Sequence, residues 1–186
     1  VAIKLLPDEL VSDGEALARF EREILAAGQL NHPSICTIFD VGKEDGAPYM
    51  VMEYLEGTTL RNLLLERSFS PVEVLEIAEQ LTSALMYAHK HGVIHRDIKP
   101  ANIFITNRGY AKLLDFGLAK VTLDLLSDSQ STDISADTRT QHSFEITEKG
   151  VALGTVLYMS PEQAKGQELD ERSDLFSLGS VIYEMV

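Results

Sequence analysis

Two short polar strings constrain this chain more than anything else in it. Residues 95–102 read His95-Arg96-Asp97-Ile98-Lys99-Pro100-Ala101-Asn102, and thirteen residues after that Asn stands Asp115-Phe116-Gly117. They hold an Asp able to accept a hydroxyl proton, a Lys two residues further on, and two oxygen ligands, Asn102 and Asp115. A few hard oxygen donors suit Mg2+, which keeps waters and phosphate oxygens as its other ligands. The whole set suits movement of a phosphoryl group, a reaction that asks for positioning and neutralised charge more than for covalent chemistry.

The surrounding pattern is mixed α and β. Residues 1–6 read as an apolar strand interrupted by Lys4. Over 13–30, Leu17, Phe20, Ile24, Ala27 and Leu30 recur at helical spacing with Glu23 beside their face. Residues 35–41 and 49–54 read as strands joined by a turn around Lys43-Glu44-Asp45-Gly46. Ser70-Pro71-Val72-Glu73 is a helix start, with a capping-box Ser and Glu and Pro at the first helical position. The helix it opens is expected to bury Val74, Ile77, Leu81, Leu85 and Ala88 and to stop at Gly92. Residues 103–105 and 111–114 flank Asn107-Arg108-Gly109 as a hairpin. From Ser173-Asp174 onward, Leu175, Phe176, Leu178, Val181 and Ile182 predict a buried helix. Residues 121–148 are rich in Ser, Thr and Asp without a sustained apolar period, so they read as a long loop, either a solvated insertion or a segment ordered by phosphorylation.

Composition narrows the function classes. The 186 residues are 45% hydrophobic and 24% charged, a globular balance, with room for one good core or two unequal lobes. A net charge of −13 argues against a general nucleic-acid binder, which needs clustered Lys and Arg to displace phosphate counterions. No apolar run reaches the length of a membrane span, and the opening Val1-Ala2-Ile3-Lys4 has no signal-peptide character. The single cysteine, Cys36, sits in an apolar run and is read as a small buried hydrophobe. His89, His91 and His95 raise the thought of a metal site, but helix C-termini often carry His and that reading is preferred.

In order and spacing, the motifs resemble a eukaryotic-type Ser/Thr protein kinase domain over the whole chain. The string Gly154-Thr155-Val156-Leu157-Tyr158-Met159-Ser160-Pro161-Glu162-Gln163 resembles the bacterial branch most closely. The resemblance implies an α+β, bilobal fold: a small antiparallel-sheet lobe at 1–54 and a mainly helical lobe at 55–186. Within it fall a hinge at 53–57, a catalytic loop at 95–102 and an activation segment at 115–162. It implies ATP and Mg2+ as cofactors. Lys4 would hold the α- and β-phosphates with Glu23 as its partner. Met52 would guard the back pocket, Glu53 and Leu55 would meet adenine through backbone groups, and Phe104 would lie with the nucleotide. Asp97 would orient or deprotonate the substrate hydroxyl, Lys99 would neutralise charge on the transferring phosphoryl, and Asn102 and Asp115 would hold the metal.

Lys99 together with Thr155 implies Ser and Thr, not Tyr, as acceptors, with Thr155 bonding Asp97 and Lys99. Asp174 resembles the buried helix Asp that accepts catalytic-loop amides, and His95 is expected to pack against Phe116. Arg96 implies a regulatory phosphate on the activation segment, with Thr147 the first candidate and Thr140, Ser143 and Thr138 behind it. The Gly-rich loop and the C-terminal helices of the family are expected outside this sequence, with an Arg partner for Glu162 among them. The partners implied are protein substrates, ATP and a second copy for autophosphorylation in trans, with no nucleic acid and no membrane contact in this segment. A cytoplasmic location follows, any anchor lying elsewhere in the parent. The alternative is a nucleotide-binding pseudokinase or scaffold without catalysis, against which stand the intact Lys4, Glu23, Asp97, Asn102 and Asp115.

Overall fold

The strands fall into two three-stranded antiparallel sheets, seen in a computed structural model that describes residues 1–5, 24, 26–44, 47–116 and 156–186. The first sheet has the order β1-β3-β2, from β1 (Ala2–Leu5), β2 (Ile38–Glu44) and β3 (Ala47–Met52). Its first strand is inverted relative to an ordinary half-buried strand. Ile3 and Leu5 face outward, 65% and 72% exposed, while Lys4 alternates to the half-buried side opposite Met50.

The second sheet, β4-β5-β6, comprises β4 (Gly57–Thr59), β5 (Ile103–Thr106) and β6 (Ala111–Leu113). β5 and β6 are the expected hairpin, and Gly109 supplies the positive φ its turn requires, at 81°. The expected strand at 35–41 is corrected: β2 begins only at Ile38. Ser34 to Thr37 are engaged elsewhere, because the Cys36 amide donates to the Leu113 carbonyl and the Leu113 amide donates to that of Ser34, each at 2.9 Å. Likewise β3 stops at Met52, not at residue 54, and the Glu53 amide turns to the Thr37 carbonyl at 2.9 Å.

Four helices follow among the described residues: α1 (Leu60–Glu66), α2 (Pro71–Lys90), α3 (Pro161–Ala164) and α4 (Glu171–Met185). α2 opens on the expected capping box between Ser70 and Glu73. Hydrogen bonds from the Ser70 backbone and side chain and from Arg67 draw the Glu73 carboxyl down to about 2. Val74, Ile77, Leu81, Ala84, Leu85 and Ala88 line its buried face, and the chain leaves the helix through Gly92 at φ 72°. This stripe packs against β6 and α4 and forms the centre of the core with Leu60, Ile103, Leu113 and Val181. α1 was not expected; its seven residues give too few turns for a helical period to stand out.

The expectation of a fully buried last helix is also corrected. Leu178, Val181 and Met185 are buried, but Leu175 and Phe176 are 50% and 47% exposed. At 3.6 residues per turn, 174, 178, 181 and 185 form one stripe and 175–176 fall outside it. Of the expected helix over 13–30, residues 24 and 26–28 are described and helical, with Ile24 and Ala27 buried. Gln29 follows in a turn and Leu30 is buried, while residues 13–23 and 25, and the expected loop at 121–148, lie outside the described residues.

Candidate active site

Asp174, on the first turn of α4 and 1% exposed, organises the polar string at 95–102. Its Oδ2 accepts the His95 amide and His89 Nε2, and its Oδ1 accepts the Arg96 amide, each at 2.8 Å. Burial pushes this carboxyl up, but the His89 hydrogen bond, the neighbouring His95 and the two amides outweigh it, so the net shift is downward. Arg96 holds a left-handed φ of 69°, uncommon for a residue with a Cβ. Both its backbone groups are tied: the amide to Asp174, the carbonyl accepting from Gln163 Nε2 at 2.7 Å. Strain of this kind persists where the surroundings over-determine it.

His95 is fully buried and packs against Phe116, with ring centroids 4.5 Å apart and the planes inclined at 51°. Its hydrogen bonds fix the tautomer. The Asp97 amide donates to Nδ1 at 3.3 Å, so Nε2 carries the hydrogen and donates to the Leu114 carbonyl at 2.8 Å. The three imidazoles once considered as a metal set go separate ways, His89 to Asp174, His91 to the Tyr87 carbonyl and His95 to Leu114. Their roles are accounted for by protein partners.

The reactive groups stand on this frame. After Asp97 the chain makes a short 3-10 turn, Pro100–Asn102, closed by the Asn102 amide on the Lys99 carbonyl at 2.9 Å. The turn brings Lys99 Nζ to 2.7 Å and Asn102 Nδ2 to 2.8 Å from the same Asp97 oxygen, Oδ2. Asn102 Nδ2 also donates to the Asp97 carbonyl at 2.8 Å. Leu114 links the second string to the first, its amide donating to the Asn102 carbonyl at 2.9 Å and its own carbonyl accepting from His95. Next comes Asp115, again at a left-handed φ, 59°. Its Oδ2 lies 2.6 Å from Lys4 Nζ, joining groups 111 positions apart in sequence.

Thus Asp97, Lys99, Asn102, Asp115 and Lys4 meet in one place. A divalent cation fits this donor set. Asn102 Nδ2 is committed to Asp97, so its Oδ1 remains as an acceptor, and Asp115 engages Lys4 through one oxygen only among the described residues. Two hard oxygens from the protein, with the rest from water and phosphate, is the way Mg2+ is usually held.

Met52 ends β3 and Glu53 and Leu55 come just after it, and Met52 shares a small cavity with Ile35, Cys36, Met50, Asp115 and Phe116. Cys36 is buried and free, its Sγ 3.9 Å from the Glu53 carbonyl. Burial, reinforced by the nearby Glu53 carboxylate, pushes the thiol up to about 11, so it stays protonated at neutral pH. Phe104 stands on β5 opposite Lys112. Glu23, Thr155 and Thr147 lie outside the described residues, so their expected contacts do too.

Several supports went unread in the sequence. Gln163 holds the Arg96 carbonyl, and buried Ser160 caps α3 in a second capping box, a Ser-Pro-x-Gln signal that could have been read. Ser173 Oγ donates to Glu162 at 2.8 Å and Ser177 Oγ to the Tyr158 carbonyl at 2.7 Å, fastening 158–162 to α4. Lys112 pairs with Glu53 at 2.8 Å. Such long-range pairs leave no local pattern.

The chain belongs to the protein kinase domain family, whose match covers residues 1–186. It is 41% identical over 191 residues to a probable serine/threonine-protein kinase of Streptomyces coelicolor, covering 100% of this chain and 26% of that protein. It is 41% identical to serine/threonine-protein kinase PrkC of Bacillus subtilis (100% and 26%) and 38% identical to serine/threonine-protein kinase PknB of Mycobacterium leprae (100% and 28%). The chain therefore spans about a quarter of the length of these curated relatives. Among solved structures, the Mycobacterium tuberculosis PknI kinase domain superposes with a TM-score of 0.71 at 27% identity, covering 98% of this chain and 62% of that one. The fold is that of a bilobal protein kinase, with a small antiparallel sheet beside a mainly helical part.

Proposed function

We propose that this chain forms the core of a Ser/Thr protein kinase that transfers the ATP γ-phosphate to protein Ser and Thr hydroxyls. The observation that carries the reading is the convergence of Lys99 and Asn102 on one Asp97 oxygen, beside Asp115 and Lys4. Residues 1–54 serve as the nucleotide-side lobe, 55–186 as the larger lobe, with the hinge at 53–57 and the activation segment at 115–162.

In this reading the Glu53 carbonyl and the Leu55 backbone meet adenine, Met52 bounds the pocket behind it, and Phe104 lies along the base. Lys4 attracts the α- and β-phosphates and pairs with Glu23. Mg2+, held by Asn102 and Asp115, supplies charge neutralisation at the phosphates. Asp97 orients the acceptor hydroxyl and takes its proton, which moves late in a loose transition state. Lys99 leaves its ground-state contact to offset charge developing on the phosphoryl oxygens. Thr155 positions Asp97 and Lys99 against the peptide. Arg96 receives a phosphate on Thr147, placed there by a second copy acting in trans. No helix among the described residues is long and apolar enough to cross a membrane. The proposed site of action is the cytoplasm, with any anchor lying elsewhere in the parent.

The full-length parent incubated with labelled Mg-ATP should incorporate label on Ser and Thr, and Asp97→Asn should lower incorporation by about 100-fold or more. Undiminished label in that variant would remove Asp97 from its role, and label on Tyr alone would overturn the acceptor class. Phosphopeptide mapping of the same material should find Thr147; its consistent absence would end its candidacy as the switch.

A further inference from the structure

The strand that leads to Asp115 also reaches the opposite side of the nucleotide site. Lys112 and Phe104 are cross-strand partners in the β5–β6 hairpin, so their side chains leave it on the same face. Lys112 Nζ lies 2.8 Å from Glu53 Oε2 and 3.4 Å from the Ile35 carbonyl. The same Glu53 oxygen accepts the Thr37 amide at 3.3 Å. With side chains only 14% and 29% exposed, the pair is less screened than a surface ion pair.

Merely fastening residues 34–37 to β6 does not require this cation. The Cys36–Leu113 and Leu113–Ser34 backbone bonds already do so. Glu53 is tied to that segment by its amide on the Thr37 carbonyl at 2.9 Å, but its own carbonyl has only the distant Cys36 thiol beside it among the described residues. Lys112 is the side chain that joins the Glu53 carboxylate directly to β6, the strand that leads to Asp115.

We propose that Lys112 is a positioning residue for nucleotide: by gripping the Glu53 carboxylate, it fixes where the adenine-binding backbone stands relative to Asp115. The inference rests on the kinase reading above. Hydrogen bonds to a base edge are directional, whereas attraction of phosphates to Lys4 and a metal falls off gently with displacement. Loss of Lys112 therefore acts on ATP affinity more than on the transfer step.

The test compares steady-state kinetics of the full-length parent and its variants. Lys112→Met should raise the KM for ATP about fivefold with kcat within about twofold, the signature of lost binding that is shared by ground and transition states. Lys112→Arg, which keeps the charge and the donors, should restore most of the affinity. Combining Lys112→Met with Glu53→Gln should be no worse than either alone, because paired residues are not additive. If Lys112→Met folds poorly, Lys112→Gln carries the same comparison.

An unchanged KM in variants of an active parent would overturn the positioning role alone. So would a fall in kcat and melting temperature at constant KM, since that is what a purely structural lysine predicts. A parent that neither binds nor turns over Mg-ATP would overturn the kinase reading, and this inference with it.

Discussion

The loop at 95–102 and the strand β1 both bring charged groups to the same site, yet they are held in opposite ways. In the loop, the surrounding fold ties several groups at once: Asp174 takes two amides, Gln163 the Arg96 carbonyl, and the His95 side chain bridges to Leu114. On β1, Lys4 reaches Asp115 from a strand whose Ile3 and Leu5 face outward, and its side chain is 41% exposed. The difference matches the two roles proposed for these groups. A group that must meet a reacting hydroxyl is worth fixing through a network. A group that must exchange a protein carboxylate for phosphates is better held by one replaceable ion pair.

The largest effect on stability should come from cutting the network. Asp174→Ala would leave the His95 and Arg96 amides and His89 without their acceptor in a buried setting, and should cost about 3–5 kcal/mol. Asp174→Asn retains one acceptor oxygen and should cost less. Equal melting temperatures for both variants and the parent would show that the loop is held by something else. Acid should act on the same contact. Because the carboxyl lies below its unfolded value, its contribution is complete above about pH 4 and is lost as pH falls through the lower folded value. Acid unfolding of the parent should therefore shift less with pH in the Asp174→Asn variant.

How far all this was legible from sequence follows the range of each interaction. The capping box at Ser70, the buried stripe of α2 and the hairpin turn at Gly109 are local, and the sequence predicted each. Asp174 and the packing of His95 against Phe116 were legible only through the family resemblance, since no spacing rule links positions 79 apart. Ile35 to Thr37 look like strand as part of the apolar run 35–41, and tertiary pairing with Leu113 redirected them. Leu175 and Phe176 are apolar without being buried, because composition does not say which stripe of a helix meets the core.

A smaller effect should follow at a cap far from either charged region. Ser70→Ala removes the side-chain acceptor of the Glu73 amide and should cost about 1 kcal/mol. ATP turnover at a temperature where both proteins are folded should not change. A loss of activity there would mean that the start of α2 communicates with the loop, and the contrast between rigid loop and remainder would have to be redrawn.

The smallest effect on stability belongs to Lys4, and it tests the contrast most directly. Its ion pair with Asp115 is short at 2.6 Å, but a 41% exposed ammonium is well solvated and salt-screened. Double-mutant measurements on such pairs give about 0.2–1 kcal/mol, so Lys4→Met should move the unfolding free energy by no more than that. Methionine also keeps the stem length against Met50, which preserves the strand pairing. Phosphoryl transfer should nevertheless fall by about 100-fold under the proposed role, because a cation that positions the α- and β-phosphates acts on the reacting complex and little on the resting fold. Stability loss as large as that of Asp174→Ala would make Lys4 a structural clamp. Unchanged stability with much reduced transfer would mean that β1 presents its lysine for exchange, while the loop at 95–102 stays where Asp174 fixes it.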